Sequence, residues 1–273
     1  MKKQSEKYAD VKPFDPEKVI LHLKPDKNPD PRNYKYKTLI TGTSLLDIPS
    51  KVDLRPYLNE VRQQGSLGSC QSFATITMIE YAWYNKRKEL QDFSEMFNYY
   101  YVRAMNNQQN YNVGAYVIDA IKTPLRDGFC PDQYWPYLES DFTKKPALIA
   151  NVAARIFPLY KPVSGYYQLS INTVEVKHAL SHNQLVGFGM QVYDNFMNIS
   201  SDGFVRVPAG NNLGGHMITI VGYDDDMKCP SGQKGAFIVR NSWGKGWGDQ
   251  GYFYFPYNLF NENLVFDAYC FTY

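Results

Sequence analysis

The stretch Val61-Arg-Gln-Gln-Gly-Ser-Leu-Gly-Ser-Cys-Gln-Ser-Phe-Ala74 decides how this 273-residue chain is interpreted. Glycine and serine residues typical of a turn precede Cys70, and apolar residues from Phe73 to Trp83 recur on nearly every side of the following helical pattern. The stretch therefore predicts a cysteine at the first position of a buried helix. A helix N-terminus carries partial positive charge and free N–H groups, which stabilise a thiolate, the nucleophilic form of cysteine. An inert buried thiol is the alternative for any single cysteine.

Four histidines are the candidates for a base beside that sulfur: His22, His178, His182 and His216. His216 follows two glycines and enters the apolar run that ends at Tyr223, so we predict that it is the base, with a core histidine as the alternative. His178 and His182 are four residues apart on a predicted helix and could form a metal pair. No acidic motif accompanies them, so we interpret them as a solvated helix face. His22 lies in an N-terminal extension.

A third segment, Ile238 to Tyr252, passes from a predicted strand into a loop rich in glycine and tryptophan. Asn241 leaves the strand, and its amide oxygen could accept an imidazole N–H and set the tautomer of the ring. Trp243 and Trp247 stand beside it and would shield that bond from water, and a polar contact is stronger in a low dielectric. A structural hairpin loop is the alternative.

Together these three segments resemble the papain family of cysteine proteases, which includes the cathepsins, over about residues 51–273. The resemblance implies an α+β, papain-like fold with a helical left domain, a β-barrel-like right domain and the active-site cleft between them. Leu67 and Gln71 stand where many members have cysteine and tryptophan. At these two positions the chain most resembles the bacterial and large-virus branches of the family.

The resemblance also implies roles for individual residues. Cys70 would attack a peptide carbonyl as a thiolate paired with an imidazolium at His216, so we expect its pKa to lie far below the ordinary value. Gln64 matches the oxyanion-hole glutamine, and no cofactor or metal is implied. Asp267 would lie near the base of a substrate pocket and favour basic side chains. The implied substrate-binding residues are Gly114, Gly215 and Trp243, and Asn241 would orient the base.

The order of predicted elements also indicates an α+β architecture, with helices first and strands later. Predicted helices cover residues 72–86, 95–104, 115–125 and 174–181, with Ser94 as the cap of the second. Predicted strands cover residues 186–192, 217–223, 236–240 and 252–255. No internal repeat and no low-complexity tract interrupts this pattern.

Residues 1–49 differ from the rest and form a predicted N-terminal extension. The run Lys24–Arg32 contains three prolines, which predicts an extended segment, and a short helix could begin near Asp15. Residues 50–273 form the predicted peptidase domain, with a helical part at about 60–160 and a β part at about 161–260. For the extension, an inhibitory propeptide in the cleft and a surface tail both stay open.

These observations predict a cysteine endopeptidase that acts on polypeptide substrates, with its own N-terminal segment as a second candidate partner. The family's dipeptide trimming needs a loop with histidines, and none lies between Asp127 and Lys177. A transglutaminase or amidase, or a catalytically silent binding protein, stays open.

The net charge of +2 gives no basis for a nucleic acid or membrane partner. No signal peptide is visible, and secreted, vacuolar and virion-associated locations stay open. If Cys70 stays free, Cys130, Cys229 and Cys270 allow at most one disulfide.

Overall fold

The computed structural model describes residues 14–26, 33–37 and 48–273. Its helices are α1 (Cys70–Arg87), α2 (Glu95–Ala104), α3 (Val117–Arg126), α4 (Leu148–Ile156), α5 (Thr173–Ser181) and α6 (Asp194–Met197). Its strands are β1 (Lys51–Asp53), β2 (Gly165–Leu169), β3 (Val186–Tyr193), β4 (Asn212–Lys228), β5 (Lys234–Arg240), β6 (Tyr252–Pro256) and β7 (Val265–Thr272). Among the described helices, none is long and apolar enough to cross a membrane.

One antiparallel sheet carries the second half of the chain. The strand order is β2-β7-β3-β4-β5-β6, and β1 pairs with β4 away from this path. The 17-residue β4 pairs with β3, β5 and β1, so it is the central support of the sheet. The α+β class expected from the sequence is present. The expected barrel-like closure is not, because over the described residues the sheet remains open at β2 and β6.

Helix α1 is the central helix of the molecule and begins at Cys70, as predicted. All of its residues from Cys70 to Trp83 are buried, which accounts for the apolar pattern on nearly every side. It packs on β4, where the Thr219 hydroxyl donates a hydrogen bond to the Ala74 carbonyl at 3.2 Å. Lys88 adopts a left-handed conformation, with φ of 56°, and ends the helix. The nucleophile candidate therefore lies where the helical side meets the sheet.

The flanking helices agree with the sequence at the Ser94 cap and differ most at the start of α3. The Phe97 N–H donates to the Ser94 hydroxyl at 3.0 Å, which is the predicted N-cap bond of α2. Helix α3 begins at Val117, two residues later than predicted, because Tyr116 is extended and the Ala115 carbonyl accepts a hydrogen bond from Lys24 N–H at 3.1 Å. The start of α3 is thus shaped by the N-terminal segment.

Helix α4 and strands β1, β2 and β7 were not predicted. In α4 the small residues Ala150 and Ala154 face the core, while Leu148 is 80% exposed and Ile149 is 58% exposed. This is the reverse of the pattern by which a surface helix is recognised. Strand β7 contains Asp267 at a φ of 51°, and its register with β3 shifts nearby, which interrupts the alternation expected of a strand.

The N-terminal segment, defined here as residues 14–26, is extended apart from a 3-10 turn at Pro16–Lys18. Asp15 caps that turn by accepting a hydrogen bond from Glu17 N–H at 3.2 Å, as its position in the sequence suggested. Leu21 and Leu23 are buried while the residues between and after them are exposed, which is the alternation of a strand. The remainder of the predicted proline-rich run, residues 27–32, lies outside the described residues, as do 1–13 and 38–47.

The predicted solvated face at His178 and His182 is wrong for His178. Tyr36 covers it: the tyrosine hydroxyl lies 2.9 Å from His178 Nδ1, and both side chains are buried. The His182 ring stacks on His178 with ring centroids 4.1 Å apart. The residue that buries His178 lies 142 positions earlier in the chain, so no local pattern could reveal it.

All four cysteines lie in the part of the chain that the structure describes, and all four are free thiols. Cys70, Cys130, Cys229 and Cys270 are buried. The stability of the described fold therefore rests on its packed core and hydrogen bonds.

Candidate active site

The Cys70 sulfur lies at the first residue of α1 and touches the sheet. The side chain is 1% exposed, and Sγ accepts a hydrogen bond from the Met217 backbone N–H at 3.5 Å. Met217 follows His216 directly on β4, so the sulfur lies against the strand that carries the imidazole. The Cys70 thiol also donates to Oε1 of Gln71 at 3.6 Å. Cys70 thus lies between two walls of a cleft. The helical wall is formed by α1 and the loop before α3. The sheet wall is formed by β4 and the loop after β5.

The His216 ring is oriented by Asn241. His216 Nε2 lies 2.8 Å from Asn241 Oδ1, and that oxygen also accepts a hydrogen bond from the Ser242 backbone N–H at 2.8 Å. An amide oxygen that already accepts one N–H is an acceptor, so Nε2 must carry the proton of the neutral ring. His216 Nδ1 is then unprotonated, and it is buried without a hydrogen-bond partner. The tautomer is the one that a base needs.

The protonation states differ from the ion pair expected from the sequence. Burial raises the pKa of the Cys70 thiol to about 11, against three backbone N–H groups that lower it. Burial also lowers the pKa of His216 to about 4, although the Asn241 bond acts in the opposite direction. The expected low thiol pKa is therefore wrong for this structure, in which the cleft is covered. Both groups are neutral here because removing charge from water costs more than these few hydrogen bonds return.

Gln64 is held rigidly next to this pair. Its backbone N–H donates to the Ser242 carbonyl at 2.8 Å, and its side-chain Oε1 accepts from the Ser242 hydroxyl at 2.6 Å. Gln64 Nε2 donates to the Leu67 carbonyl at 2.8 Å, which leaves its second hydrogen available. The side chain is fully buried. The amide is thus oriented by contacts on both sides before any ligand arrives.

Ser242 is the residue of the site that sequence reasoning missed. Its backbone N–H bonds Asn241, and its hydroxyl bonds Gln64, so it joins the orienting amide to the candidate oxyanion-hole amide. The only signal in the sequence was its place between Asn241 and Trp243. From the sequence, Ser242 was interpreted as part of the loop, since a serine in a glycine-rich turn usually hydrogen-bonds the backbone of that turn.

The two tryptophans enclose the histidine–asparagine bond. The Trp243 ring stacks on His216 with centroids 4.8 Å apart, and Trp247 meets Trp243 edge-on at 5.0 Å. On its other side, Trp243 stacks on Phe14 of the N-terminal segment at 4.7 Å. Trp243 is 1% exposed as a result. The predicted shielding is present, and the N-terminal segment contributes to it.

A buried ionic cluster lies beneath the loop that carries Gln64. Arg62 NH2 lies 2.7 Å from a carboxylate oxygen of Glu80 and of Glu95, and Arg62 also contacts Asp92. Burial raises the pKa of both glutamates. The Arg62 carbonyl in turn accepts a hydrogen bond from Gly244 N–H at 3.1 Å. The cluster ties the loop before α1 to the loop after β5, and so supports both walls of the site.

Gly114 and Gly215, the predicted substrate contacts, face each other across the N-terminal segment. Leu23 N–H donates to the Gly215 carbonyl at 3.1 Å, and a Cβ on Gly215 would collide with the Leu23 carbonyl. A Cβ on Gly114 would collide with the His22 carbonyl. Both glycines therefore permit a close approach of extended backbone, which is what a peptide substrate would need. In this structure the chain's own residues occupy that position.

Beyond Gly114 the segment reaches Asp267, the residue expected at the base of a substrate pocket. Asp26 N–H donates to Asp267 Oδ2 at 2.7 Å, and the Tyr269 hydroxyl donates to Asp26 Oδ2 at 2.6 Å. Burial raises the pKa of Asp267. The segment thus extends from Trp243 at one end of the cleft to Asp267 at the other.

The family model for papain family cysteine proteases matches residues 48–267 of the chain. The chain belongs to the papain family. The protease is 30% identical to an uncharacterized peptidase C1-like protein of Acanthamoeba polyphaga mimivirus, over 90% of this chain and 84% of that protein. It is 31% identical to fruit bromelain of Ananas comosus over 75% of this chain, and spans 54% of bromelain's length.

Among solved structures, the protease resembles xylellain, a cysteine protease from Xylella fastidiosa. The TM-score is 0.80 at 28% identity, over 96% of this chain and 98% of xylellain. The α+β, papain-like fold, the hydrolase class and the cysteine endopeptidase function predicted from the sequence are confirmed at the level of the family. The expected likeness to bacterial and large-virus members is confirmed as well.

Proposed function

We propose that the protease cleaves internal peptide bonds with Cys70 as nucleophile, His216 as base and Asn241 as the residue that orients the base. The observation that carries this assignment is the buried His216 ring, whose Nε2 is held 2.8 Å from Asn241 while Nδ1 has no partner. This free nitrogen belongs to His216, and the next residue, Met217, donates its backbone N–H to the Cys70 sulfur. A proton taken up at Nδ1, once the thiol turns from Gln71 to His216, would leave the Asn241 bond in place.

The proposed reaction has two stages, formation of an acyl-enzyme and its hydrolysis. Once Nδ1 has taken the thiol proton, the thiolate attacks the carbonyl carbon of the substrate, and the carbonyl oxygen becomes an oxyanion. The available N–H of Gln64 Nε2 and the Cys70 backbone N–H would stabilise that oxyanion. Nδ1 returns the proton to the leaving amine, which leaves an acyl-enzyme. Water, deprotonated by the same nitrogen, then releases the acid and restores the thiol.

Substrate backbone would bind between Gly114 and Gly215, with Trp243 bordering the site. Support comes from the hydrogen bonds that the N-terminal segment makes there, since any extended peptide can form the same bonds with the Gly215 and Ala115 carbonyls. An acidic pocket at Asp267 would favour a basic side chain. Kinetics on paired peptides that differ only in arginine or leucine at that position would test this preference.

We further propose that residues 14–26 are part of an inhibitory propeptide, and that the chain divides functionally into the extension 1–49 and the peptidase domain 50–273. The support is direct contact: Phe14 covers Trp243, and His22 and Leu23 occupy the space beside Gly114 and Gly215. Solved relatives of similar fold include a stem bromelain precursor and a digestive procathepsin L 3 of Tenebrio molitor. A tail resting on the surface does not account for side chains that are buried in the cleft.

Mass spectrometry during incubation at several pH values tests both proposals together. The expected result is cleavage before Lys51 that coincides with the appearance of peptidase activity, and neither event in Cys70→Ala. Full peptidase activity in the uncleaved chain would exclude the propeptide. Peptidase activity in Cys70→Ala would exclude the nucleophile. Tight peptide binding without any cleavage, together with no labelling of Cys70 by a thiol-reactive epoxide, would instead indicate a silent binding protein.

A further inference from the structure

Helix α4 and the 3-10 turn after it, Phe157–Tyr160, direct large aliphatic side chains to the solvent. The α4 surface is defined here as the exposed side chains of Leu148, Ile149, Val152, Ile156 and Leu159. Leu148 is 80% exposed and Leu159 is 75% exposed. At about 100° per residue, the members on the helix fall within about 100° of one another around its axis. They therefore form one face.

The core beneath α4 does not use these side chains. Ala150, Ala153 and Ala154 lie on the opposite side of the helix, where they pack with Phe97 and Cys130 in a small core cluster. A surface helix normally turns its aliphatic residues inward and its polar residues outward. Exposed groups of large apolar residues are typical of surfaces that meet a protein or a membrane. The packing of the fold therefore does not account for the α4 surface.

Basic residues surround the α4 surface. Residues 142–174 include no aspartate and no glutamate. The basic residues of this stretch are Lys144, Lys145, Arg155 and Lys161. Arg155 follows Val152 by three residues and so borders the aliphatic face on the helix itself. Beyond the 3-10 turn, the Lys86 ammonium donates to the Lys161 carbonyl at 2.9 Å and adds another positive charge. The net charge of the whole chain, +2, conceals this local excess.

The acidic residues next to the α4 surface are each paired with a base. The pairs are Asp141 with Lys144 at 2.7 Å, Asp127 with Arg126 at 2.6 Å and Glu89 with Arg87 at 3.7 Å. Within the part of the chain that the structure describes, Lys145, Arg155 and Lys161 make no ion pair. Their positive charges are therefore available to an anionic partner.

We propose that the α4 surface binds the interface of anionic phospholipid membranes. The aliphatic side chains enter the boundary of the acyl chains, and Lys145, Arg155 and Lys161 contact the headgroups. An amphipathic helix with basic residues beside its apolar face lies in the plane of such an interface and does not cross it. This placement agrees with the finding that none of the described helices could span a membrane. It would hold the protease at a membrane surface, whatever its peptide substrate.

A bilayer fits this surface better than a second copy of the chain does. Two copies that met through α4 would bring the same positive charges together, and like charges across an interface oppose association. The most exposed members, Leu148 and Leu159, protrude from the helix, and a protein partner would need a pocket for each. Acyl chains close around any protruding side chain, so they require no preformed pocket.

Sedimentation with vesicles tests the proposal in the full-length Cys70→Ala chain, in which the N-terminal segment stays attached. The vesicles are phosphatidylcholine with about one-third phosphatidylserine, compared with phosphatidylcholine alone. We expect the partition coefficient to be at least about tenfold higher on the anionic vesicles. It should fall when the salt concentration is raised from about 0.1 M to about 0.5 M, because salt screens the attraction. Absence of binding, or equal binding to both kinds of vesicle, would overturn the proposal.

The aliphatic contribution is tested with Leu148→Gln combined with Leu159→Gln, which leaves every charge in place. We expect the partition coefficient on anionic vesicles to fall about tenfold or more. The matched control, Val207→Gln with Leu213→Gln, removes two exposed aliphatic side chains at the loop before β4 and the start of that strand and should bind as the parent chain. Equal losses in both pairs would count against the α4 surface.

The basic contribution is tested with Lys145→Gln combined with Arg155→Gln. Each charge near an anionic bilayer accounts for about a fivefold change in binding, so we expect a loss of about 25-fold for the pair. Lys228→Gln with Lys245→Gln removes the same charge from the sheet half of the chain and should change binding little. The same loss in this control would mean that only overall charge matters and would refute a specific surface.

Two further measurements separate the other possible occupants. Thermal unfolding of Leu148→Gln with Leu159→Gln should match the parent chain, since changes at exposed positions cost little. A lower melting temperature would show that the chain itself covers these side chains. Sedimentation velocity without vesicles should show a monomer, and a dimer abolished by the same substitutions would assign the surface to a second copy. Either result would overturn membrane binding, and because no turnover is measured, the protease assignment would remain intact.

Discussion

The two walls of the cleft supply different kinds of groups to the active site. The helical wall supplies the Cys70 sulfur and backbone N–H groups, whose position is set locally by where α1 begins. The sheet wall supplies His216 and Asn241, which come together because β4 and β5 are neighbouring antiparallel strands, although 25 residues separate the two side chains in sequence. The proposed nucleophile thus depends on a helix terminus, and the proposed base depends on strand pairing and on Ser242.

The N-terminal segment bonds both walls at once. On the sheet wall it stacks Phe14 on Trp243 and bonds Gly215, and on the helical wall it bonds Ala115 and Ile118. The sulfur and the imidazole are both buried, which accounts for the neutral forms of both groups in this structure. Under the propeptide role proposed above, activation would have to uncover two groups that are positioned independently, one on each wall. Substitutions on each wall test the contributions of the two groups separately.

The largest effect is expected on the helical wall, from Cys70→Ala. Peptidase activity should fall by about 10⁴-fold or more, because covalent attack is lost and only binding and oxyanion stabilisation remain. Thermal unfolding should show a folded chain. Cys229→Ala is the matched control, since it removes a buried thiol near β5 and should leave kcat/KM close to wild type. Activity lost equally in both variants would point to folding and not to the nucleophile.

Gln64→Ala should have the next largest effect, a loss of about 100-fold or more in kcat, as expected for one oxyanion donor. The neighbouring variant Gln63→Ala removes an amide that is not held by Ser242 and should change kcat little. Steady-state kinetics on one fluorogenic peptide would compare them. If KM rises while kcat is unchanged in Gln64→Ala, then Gln64 binds substrate and does not stabilise the oxyanion.

On the sheet wall, Asn241→Ala should lower kcat by roughly 10- to 100-fold, the equivalent of one hydrogen bond of about 1.5–3 kcal/mol to a group that becomes charged. The loss should be smaller than for Cys70→Ala because Trp243 still stacks on the imidazole. A loss as large as that of Cys70→Ala would mean that stacking on Trp243 does not keep the ring oriented.

Ser242→Ala is expected to have the smallest effect of the four, about fivefold in kcat, since one neutral hydrogen bond of about 1 kcal/mol to Gln64 is lost. In a Gln64→Ala background the same change should cost almost nothing further. A double-mutant cycle measures this coupling. Fully additive losses would show that Ser242 acts independently of Gln64.

The sequence predicts local features of the molecule, whereas it does not reveal contacts between distant segments. Cys70 at a helix start and Ser94 as a cap are local features, and both were predicted. Ser242 was missed because its partner Gln64 lies 178 residues away. His178 was wrongly judged to be solvated because Tyr36 buries it from a distant part of the chain.

The pKa of the Cys70 thiol also depends on contacts that local sequence does not reveal. A helix start predicts a lower pKa for Cys70, whereas burial of the side chain, against a sheet whose Met217 is distant in sequence, raises the pKa in the structure. Helix α4 was missed for a different reason, because it exposes its aliphatic side chains and hides its alanines. Local chemistry could be predicted, while burial that comes from distant segments could not.

The pH dependence of Cys70 alkylation tests the central claim most directly. In the uncleaved chain we predict slow alkylation that is still rising at the highest accessible pH, because the thiol pKa is about 11. After proteolytic removal of the N-terminal segment, the rate should reach a plateau in mildly acid solution, and His216→Ala should return the midpoint to about 8.5, the value of a free cysteine. An identical midpoint near about 8.5 with and without His216 in the cleaved chain would contradict the account.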